Sequence, residues 1–163
     1  MSDTEASCQC GQVKFAARGK PILSAVCYCD DCQAGARQIE AGGGPPVADP
    51  DGGTALTLYR ADRFICLAGA DRLRADKLKP ESRTTRYAAD CCGSGLYIGF
   101  DKGPFWVSVM NNRLAAPRPP EARIMTKFRT STAPYPDAAP VYAKYPWSML
   151  LKVLGARLAM IFG

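Results

Sequence analysis

The sequence predicts a mainly β domain with a helix at its C-terminal end. Three observations lead there: short alternating apolar runs, turn residues between them, and a nearly uninterrupted apolar stretch after the last prolines. QVKFA places Val13 and Phe15 on one face, ALTLY places Leu56 and Leu58 on one face, and PFWVSV does the same with Phe105, Val107 and Val109. A period of two is the mark of a half-buried strand, because successive side chains leave a pleated backbone on opposite sides. GLYIGF adds another strand, and RFICLAG and DRLRADKLK give two more joined by a turn centred on Gly69. The segment AGGGPPVADPDGG, residues 41–53, reads as an irregular loop. No internal repeat points to a solenoid.

After the proline-punctuated segment TAPYPDAAPVYAKYP comes WSMLLKVLGARLAMIFG, which reads as one helix of about four turns. Ser148, Lys152 and Gly155 share a narrow polar face, and Arg157 interrupts the apolar surface opposite it. With about 16 residues and two charges, the run falls short of the roughly 20 apolar residues a bilayer crossing needs. Docking on its own domain or across a homodimer interface is expected in preference to a membrane surface. The chain thus divides into a domain over 1–115, a Pro-rich connecting segment over 116–146 and a hydrophobic helix over 147–163.

At 163 residues the chain is long enough to bury a core without disulfide staples. Its opening, MSDTEASCQC, has two acids and no basic, apolar run, so a reducing cytoplasm is the expected location. Eight cysteines are about 5% of the chain, below the roughly 8–10% of small secreted disulfide scaffolds. They are also locally grouped, which favours metal ligation. The formal charge of +6 does not point to nucleic acid. Asp62, Asp71, Asp76 and Glu81 interleave the densest basic stretch, and thiolates bound to zinc would lower the total to about +3.

The cysteines form three clusters and one single. Cys8 and Cys10 stand in CQCG; Cys27, Cys29 and Cys32 in CYCDDC; Cys91 and Cys92 in DCCG; Cys66 is alone in FICLAG. In an extended segment residues two apart project to one side, so each C-x-C offers two sulfurs to one ion. Glycine after the second cysteine lets the chain turn back and bring its amides near the sulfurs. CQCG and the CCG pair together supply the four thiols of a structural zinc site, whereas CYCDDC supplies three and suits a site with an open position. Adjacent Cys91 and Cys92 reach one ion only if a tight turn bends them together; otherwise one is a ligand and the other a neighbour. Cys66, between Ile65 and Leu67 on a strand, reads as a core residue.

CQCG, then CYCDDC, then RYAADCCGSGLY, in that order over residues 7–110, resemble the superfamily of glutathione-dependent formaldehyde-activating enzymes and centromere protein V, closest to a bacterial branch. The resemblance implies an Mss4-like β fold, a structural zinc held by the first and last motifs, and a second zinc or reactive thiols at the middle one. It makes Cys8, Cys10, Cys91 and Cys92 structural metal ligands and Cys27, Cys29 and Cys32 both metal ligands and the catalytic centre. Two positions depart from the family pattern. Ala89 stands where another cysteine is usual, so Cys91 must take its place, and Tyr28 stands where histidine is common. The chain has no histidine. Proton transfer would then fall to metal-bound water, a thiol, a tyrosine, or a carboxylate such as Asp30 or Asp31. Arg37 reads as a solvated residue beside a loop.

The activity implied is zinc-dependent carbon–sulfur chemistry between a small thiol, glutathione-like, and a small carbonyl. A non-catalytic zinc-stabilised binding module and a thiol redox or metal-handling protein are the alternatives.

Overall fold

The computed structural model describes residues 3–102 and 105–162. Residues 1, 2, 103, 104 and 163, which fall within the expected domain and helix ranges, lie outside the described residues. Ten strands and two α-helices are found among the described residues. β1 (Thr4–Ser7), β2 (Lys14–Ala17) and β5 (Phe64–Ala68) form a three-stranded antiparallel sheet in the order β1-β2-β5. β3 (Leu23–Cys27), β4 (Thr54–Arg60), β6 (Leu73–Asp76), β7 (Thr84–Ala89), β8 (Gly95–Phe100), β9 (Trp106–Met110) and β10 (Ala122–Ile124) form a seven-stranded sheet. Its order is β10-β3-β4-β9-β8-β7-β6, antiparallel except where β10 runs parallel to β3. The expectation of a mainly β chain with a C-terminal helix holds.

The larger sheet is apolar on both faces, and that divides the molecule. On one face Tyr59, Leu96, Val107 and Val109 pack against Phe15 and Ala17 of the smaller sheet and Val13 just before its strand β2. Phe15 stacks on Phe64 at 4.6 Å between ring centroids and meets Tyr97 edge-on at 5.3 Å. On the other face Leu23, Ala25, Leu56, Leu58, Ile98 and Ile124 pack against α1 (Asp30–Ala41). β4 shows why alternation alone understated the core: Leu56 and Leu58 serve one layer, while Thr57 and Tyr59, also buried, face the other. The two strands joined at Gly69 do not pair with each other. β5 belongs to the small sheet and β6 to the edge of the large one, so the turn carries the chain from one layer to the next.

α1 departs from the sequence expectation, which treated CYCDDC as extended. Its buried residues, Cys32, Gly35, Ala36 and Ile39, follow the i, i+3, i+4, i+7 pattern of one helix face. Asp30 and Asp31 occupy the first turn, where the positive end of the helix dipole favours carboxylates. Gly42 closes the far end. Arg37 therefore sits on the exposed side of a helix and not beside a loop.

α2 (Trp147–Phe162) lies on the second layer, with Met149 and Val153 packed against the core. Lys152 pairs with Glu121, the Arg60 guanidinium donates to the Ala159 carbonyl at 3.3 Å, and the Arg157 guanidinium lies 5.3 Å over the Phe105 ring. The outward stripe of Trp147, Leu151, Leu154, Leu158 and Ile161 is exposed, with Trp147 at 80%. Among the described residues no helix is long and apolar enough to cross a membrane.

Candidate functional site

Two groups of cysteines come together, and in each the sulfurs lie within 4.8 Å of one another: Cys8, Cys10, Cys91 and Cys92, and separately Cys27, Cys29 and Cys32. Either group could hold a metal ion.

In the four-cysteine group, Cys8 and Cys10 lie on the turn that follows β1 and not on an extended segment as expected. Gly11, at φ 75°, lets this turn close: its N–H donates to the Cys8 carbonyl at 3.0 Å, and the Val13 N–H donates to Cys8 Sγ at 3.3 Å. The opposite half is the tight turn after β7. The Gly93 N–H donates to the Ala89 carbonyl at 2.7 Å with Gly93 at φ 68°, and this bend puts both adjacent cysteines on one side. Ala89 itself is buried and Cys91 stands in the cluster. Sulfur separations are 3.5 Å for Cys8 to Cys10, 3.8 Å for Cys8 to Cys91 and 3.3 Å for Cys10 to Cys91. Ser94 ties the halves together, accepting from the Gln9 N–H at 3.1 Å and lying 3.1 Å from Cys92 Sγ.

The three-cysteine group is built at a strand-to-helix junction on the other face of the large sheet. Cys27 ends β3, Cys29 is the N-cap of α1 with its Sγ accepting from the Cys32 N–H at 3.4 Å, and Cys32 lies in the first turn. The helix, and not an extended C-x-C, brings the third sulfur back. Gln33 fixes the junction by donating to the carbonyls of Tyr28, at 2.7 Å, and Phe128, at 3.0 Å.

Both groups favour a thiolate. Hydrogen bonds with Cys27, and then with Cys32, hold Cys29 down to about 3. The same hydrogen bonding with Cys29 pushes Cys27 up to about 12. Cys32 is raised well above the usual thiol range by its bonds to Cys27 and Cys29. In the other group burial opposes ionisation of Cys92, yet the Ser94 hydroxyl and nearby backbone N–H groups bring it to about 6. Cys91 is pushed up to about 12 by desolvation and by the sulfurs of Cys10 and Cys8. The thiolate is the metal-binding and nucleophilic form of cysteine.

Beside Cys27, Cys29 and Cys32 lies a cavity of about 320 Å³. Its floor is the second face of the large sheet, with Leu56, Leu58 and Ile98, and its roof is α2, with Met149, Leu150 and Val153. None of the four cysteines of the other group lines it. Asp31 and Tyr145 are on its wall. Desolvation and the negative charge of the neighbouring cysteines hold the Tyr145 phenol above its usual range. Sequence reasoning missed Tyr145, whose only signal was its place just before the last helix.

Within the described residues, residues 3–43 match the family model described as Glutathione-dependent formaldehyde-activating enzyme. The matched segment is short. It contains CQCG and CYCDDC whole and stops before DCCG. Among solved structures, a Rhodobacter sphaeroides protein is similar with a TM-score of 0.49 and 16% identity, covering 71% of this chain and 91% of that one. No match is found among curated proteins.

Two sequence expectations, for Cys66 and Asp30, need correction, and Tyr28 acquires a place the sequence did not assign. Tyr28 is fully buried, and its hydroxyl donates to the Asp51 carboxylate at 2.7 Å and bonds the Arg123 guanidinium, so its side chain belongs to a polar network behind the cluster and does not line the cavity. A residue between two that face the cavity points away from it. Cys66 is exposed and not a core residue, because β5 covers the core only through its first residues. Asp30, exposed, does not line the cavity, whereas Asp31 does.

Proposed function

We propose that the chain is a zinc-dependent enzyme of carbon–sulfur chemistry, forming or breaking an adduct between a small thiol such as glutathione and a small carbonyl compound. One observation carries the proposal: three thiols converge on the wall of a cavity, while the other four converge away from it. The donor sets fit zinc. Tetrahedral thiolate ligation at about 2.3 Å places sulfurs about 3.8 Å apart; the separations of 3.3 to 3.8 Å among Cys8, Cys10 and Cys91 need only a small expansion, and the three sulfurs of the other group lie within 4.8 Å of one another. In this reading Cys8, Cys10, Cys91 and Cys92 hold a structural ion, and Cys27, Cys29 and Cys32 hold one whose fourth position is left to solvent or substrate.

Bound at the three cysteines, zinc would keep a thiol ionised at neutral pH and polarise a carbonyl oxygen. The remaining work falls to the chain. In adduct formation the substrate sulfur bonds to the carbonyl carbon, the C=O π pair moves to oxygen, and that oxygen gains the proton the thiol lost; cleavage is the reverse. Asp31 and Tyr145 are the cavity's groups able to hold that proton between the two atoms.

Incubation of the zinc-loaded protein with glutathione and ¹³C-formaldehyde, followed by NMR, tests the activity. Adduct formation faster than in buffer, and lost in Cys29→Ser, is the expected result; equal rates with and without protein refute it. The exposed apolar stripe of α2 favours a second reading, a zinc-stabilised binding module, in which the same assay shows no turnover.

A further inference from the structure

Among the described residues Arg86 is the one buried cation on the wall of the cavity. It lies on β7, is 3% exposed, and donates one hydrogen bond, from Nη2 to the Asp31 carbonyl at 2.6 Å. No carboxylate pairs with it among the described residues, and its buried Nη1 has no partner at all. A guanidinium removed from water without an anion is costly, so a buried one is ordinarily paired. Arg123 and Arg129 in this protein show the ordinary arrangement, since their side chains are only 2% and 8% exposed and both pair with aspartates.

The fold also makes a seat for Arg86. A Cβ added at Gly35, in the middle of α1, would come within 2.0 Å of Arg86 Nε and 2.9 Å of its Cζ. Glycine inside a helix is unfavourable relative to alanine, and here it leaves the room the guanidinium occupies. The other cavity walls are almost wholly apolar: Leu56, Leu58, Ile98, Phe100, Trp106 and Val153.

We infer that the cavity binds an apolar molecule bearing a single carboxylate, whose anion pairs with Arg86 and whose hydrocarbon body lies between the large sheet and α2. The placement extends the carbonyl substrates to apolar compounds with one acid group, and to that extent rests on the proposed thiol chemistry; occupancy of the cavity does not. Because Arg86 bonds the carbonyl of Asp31, the acid end lies beside the turn that carries Cys29 and Cys32.

Octanoate and octanol are unreactive probes of equal chain length. Trp106 lines the cavity and Trp147 is exposed outside it, so a Trp147→Phe background makes indole fluorescence report on the cavity alone. Octanoate is expected to bind the zinc-loaded protein about tenfold or more tightly than octanol, the worth of a charge-assisted hydrogen bond. Arg86→Met should abolish that preference while leaving octanol binding within about twofold, which also shows that the cavity is intact. Equal affinities in the parent protein, no binding of either probe, or an acid preference that survives Arg86→Met would each overturn the inference. The parent protein separates the two proposals: octanoate binding that depends on Arg86, in a protein that adds no glutathione to formaldehyde, keeps the cavity site whatever becomes of the chemistry.

Discussion

Cys8, Cys10, Cys91 and Cys92 lie on the face of the large sheet that meets the small sheet, and Cys27, Cys29 and Cys32 lie on the face that meets the helices. The first group is assembled from two turns some 80 positions apart in sequence and therefore ties the layers together. The second comes from six consecutive residues at the start of one helix, closes nothing distant, and opens onto a cavity. Both are sets of free thiols with similar spacing. What separates a fold-holding site from a reactive one is how far along the chain its ligands come from and what lies beside them.

The largest effect is expected at the turns. Replacing Cys8 and Cys10 together with serine removes half the ligands of the layer-spanning site, whose metal-binding free energy of about 10–16 kcal/mol exceeds what a domain of this size holds in reserve. Loss of cooperative unfolding by circular dichroism is the expected outcome, and a wild-type melt would make the group ornamental. Gly93→Ala should cost about 1–3 kcal/mol, because φ is 68° there and the added Cβ would meet the Gly44 backbone at 2.8 Å. A thermal melt unchanged by that substitution would show that the turn is not what holds Cys91 and Cys92 together.

A smaller effect is expected behind the three-cysteine group. Arg123 holds the Asp137 carboxyl below its usual range, through a hydrogen bond of 2.7 Å, and the same arginine bonds the Tyr28 hydroxyl. A depressed carboxyl contributes its stability above the ordinary value of about 3.9 and loses it as pH falls through the lower folded value. Asp137→Asn should therefore lower the melting temperature at pH 7 and narrow the gap to wild type on acidification; a constant gap across that range would remove the charge from the explanation. Smallest of all is the stability change from Cys29→Ser. Serine is a good N-cap and can accept the Cys32 N–H as Cys29 Sγ does, so a shift under about 1 kcal/mol is expected by denaturant titration. A collapse comparable to that of the Cys8 and Cys10 replacement would make the middle group structural.

Much of this contrast is legible in the sequence. Val13 and Phe15, Leu56 and Leu58, and Val107 and Val109 announced their strands because a strand's side chains alternate, and the grouping of CQCG with DCCG followed from ligand number. α1 was not legible in the same way. Two of its four buried residues are Gly35 and Ala36, which carry little apolar signal, and the cysteine spacing drew attention to an extended motif. Cys66 was misplaced because burial depends on which layer a strand joins, which no local pattern contains. Arg86 gave no sign either, since an arginine on an alternating strand reads as solvated until the helix with Gly35 is laid across it.

The difference between the two groups is tested most directly by native mass spectrometry of the zinc-loaded protein during titration with a chelator, with folding followed in parallel. The expected course is loss of one zinc at low chelator with the fold intact, then loss of the second together with unfolding, and only the first step absent in Cys29→Ser. Simultaneous loss of both ions with unfolding, or a first ion whose removal needs Cys8 or Cys10 to be replaced, would contradict the assignment of one open and one closed centre.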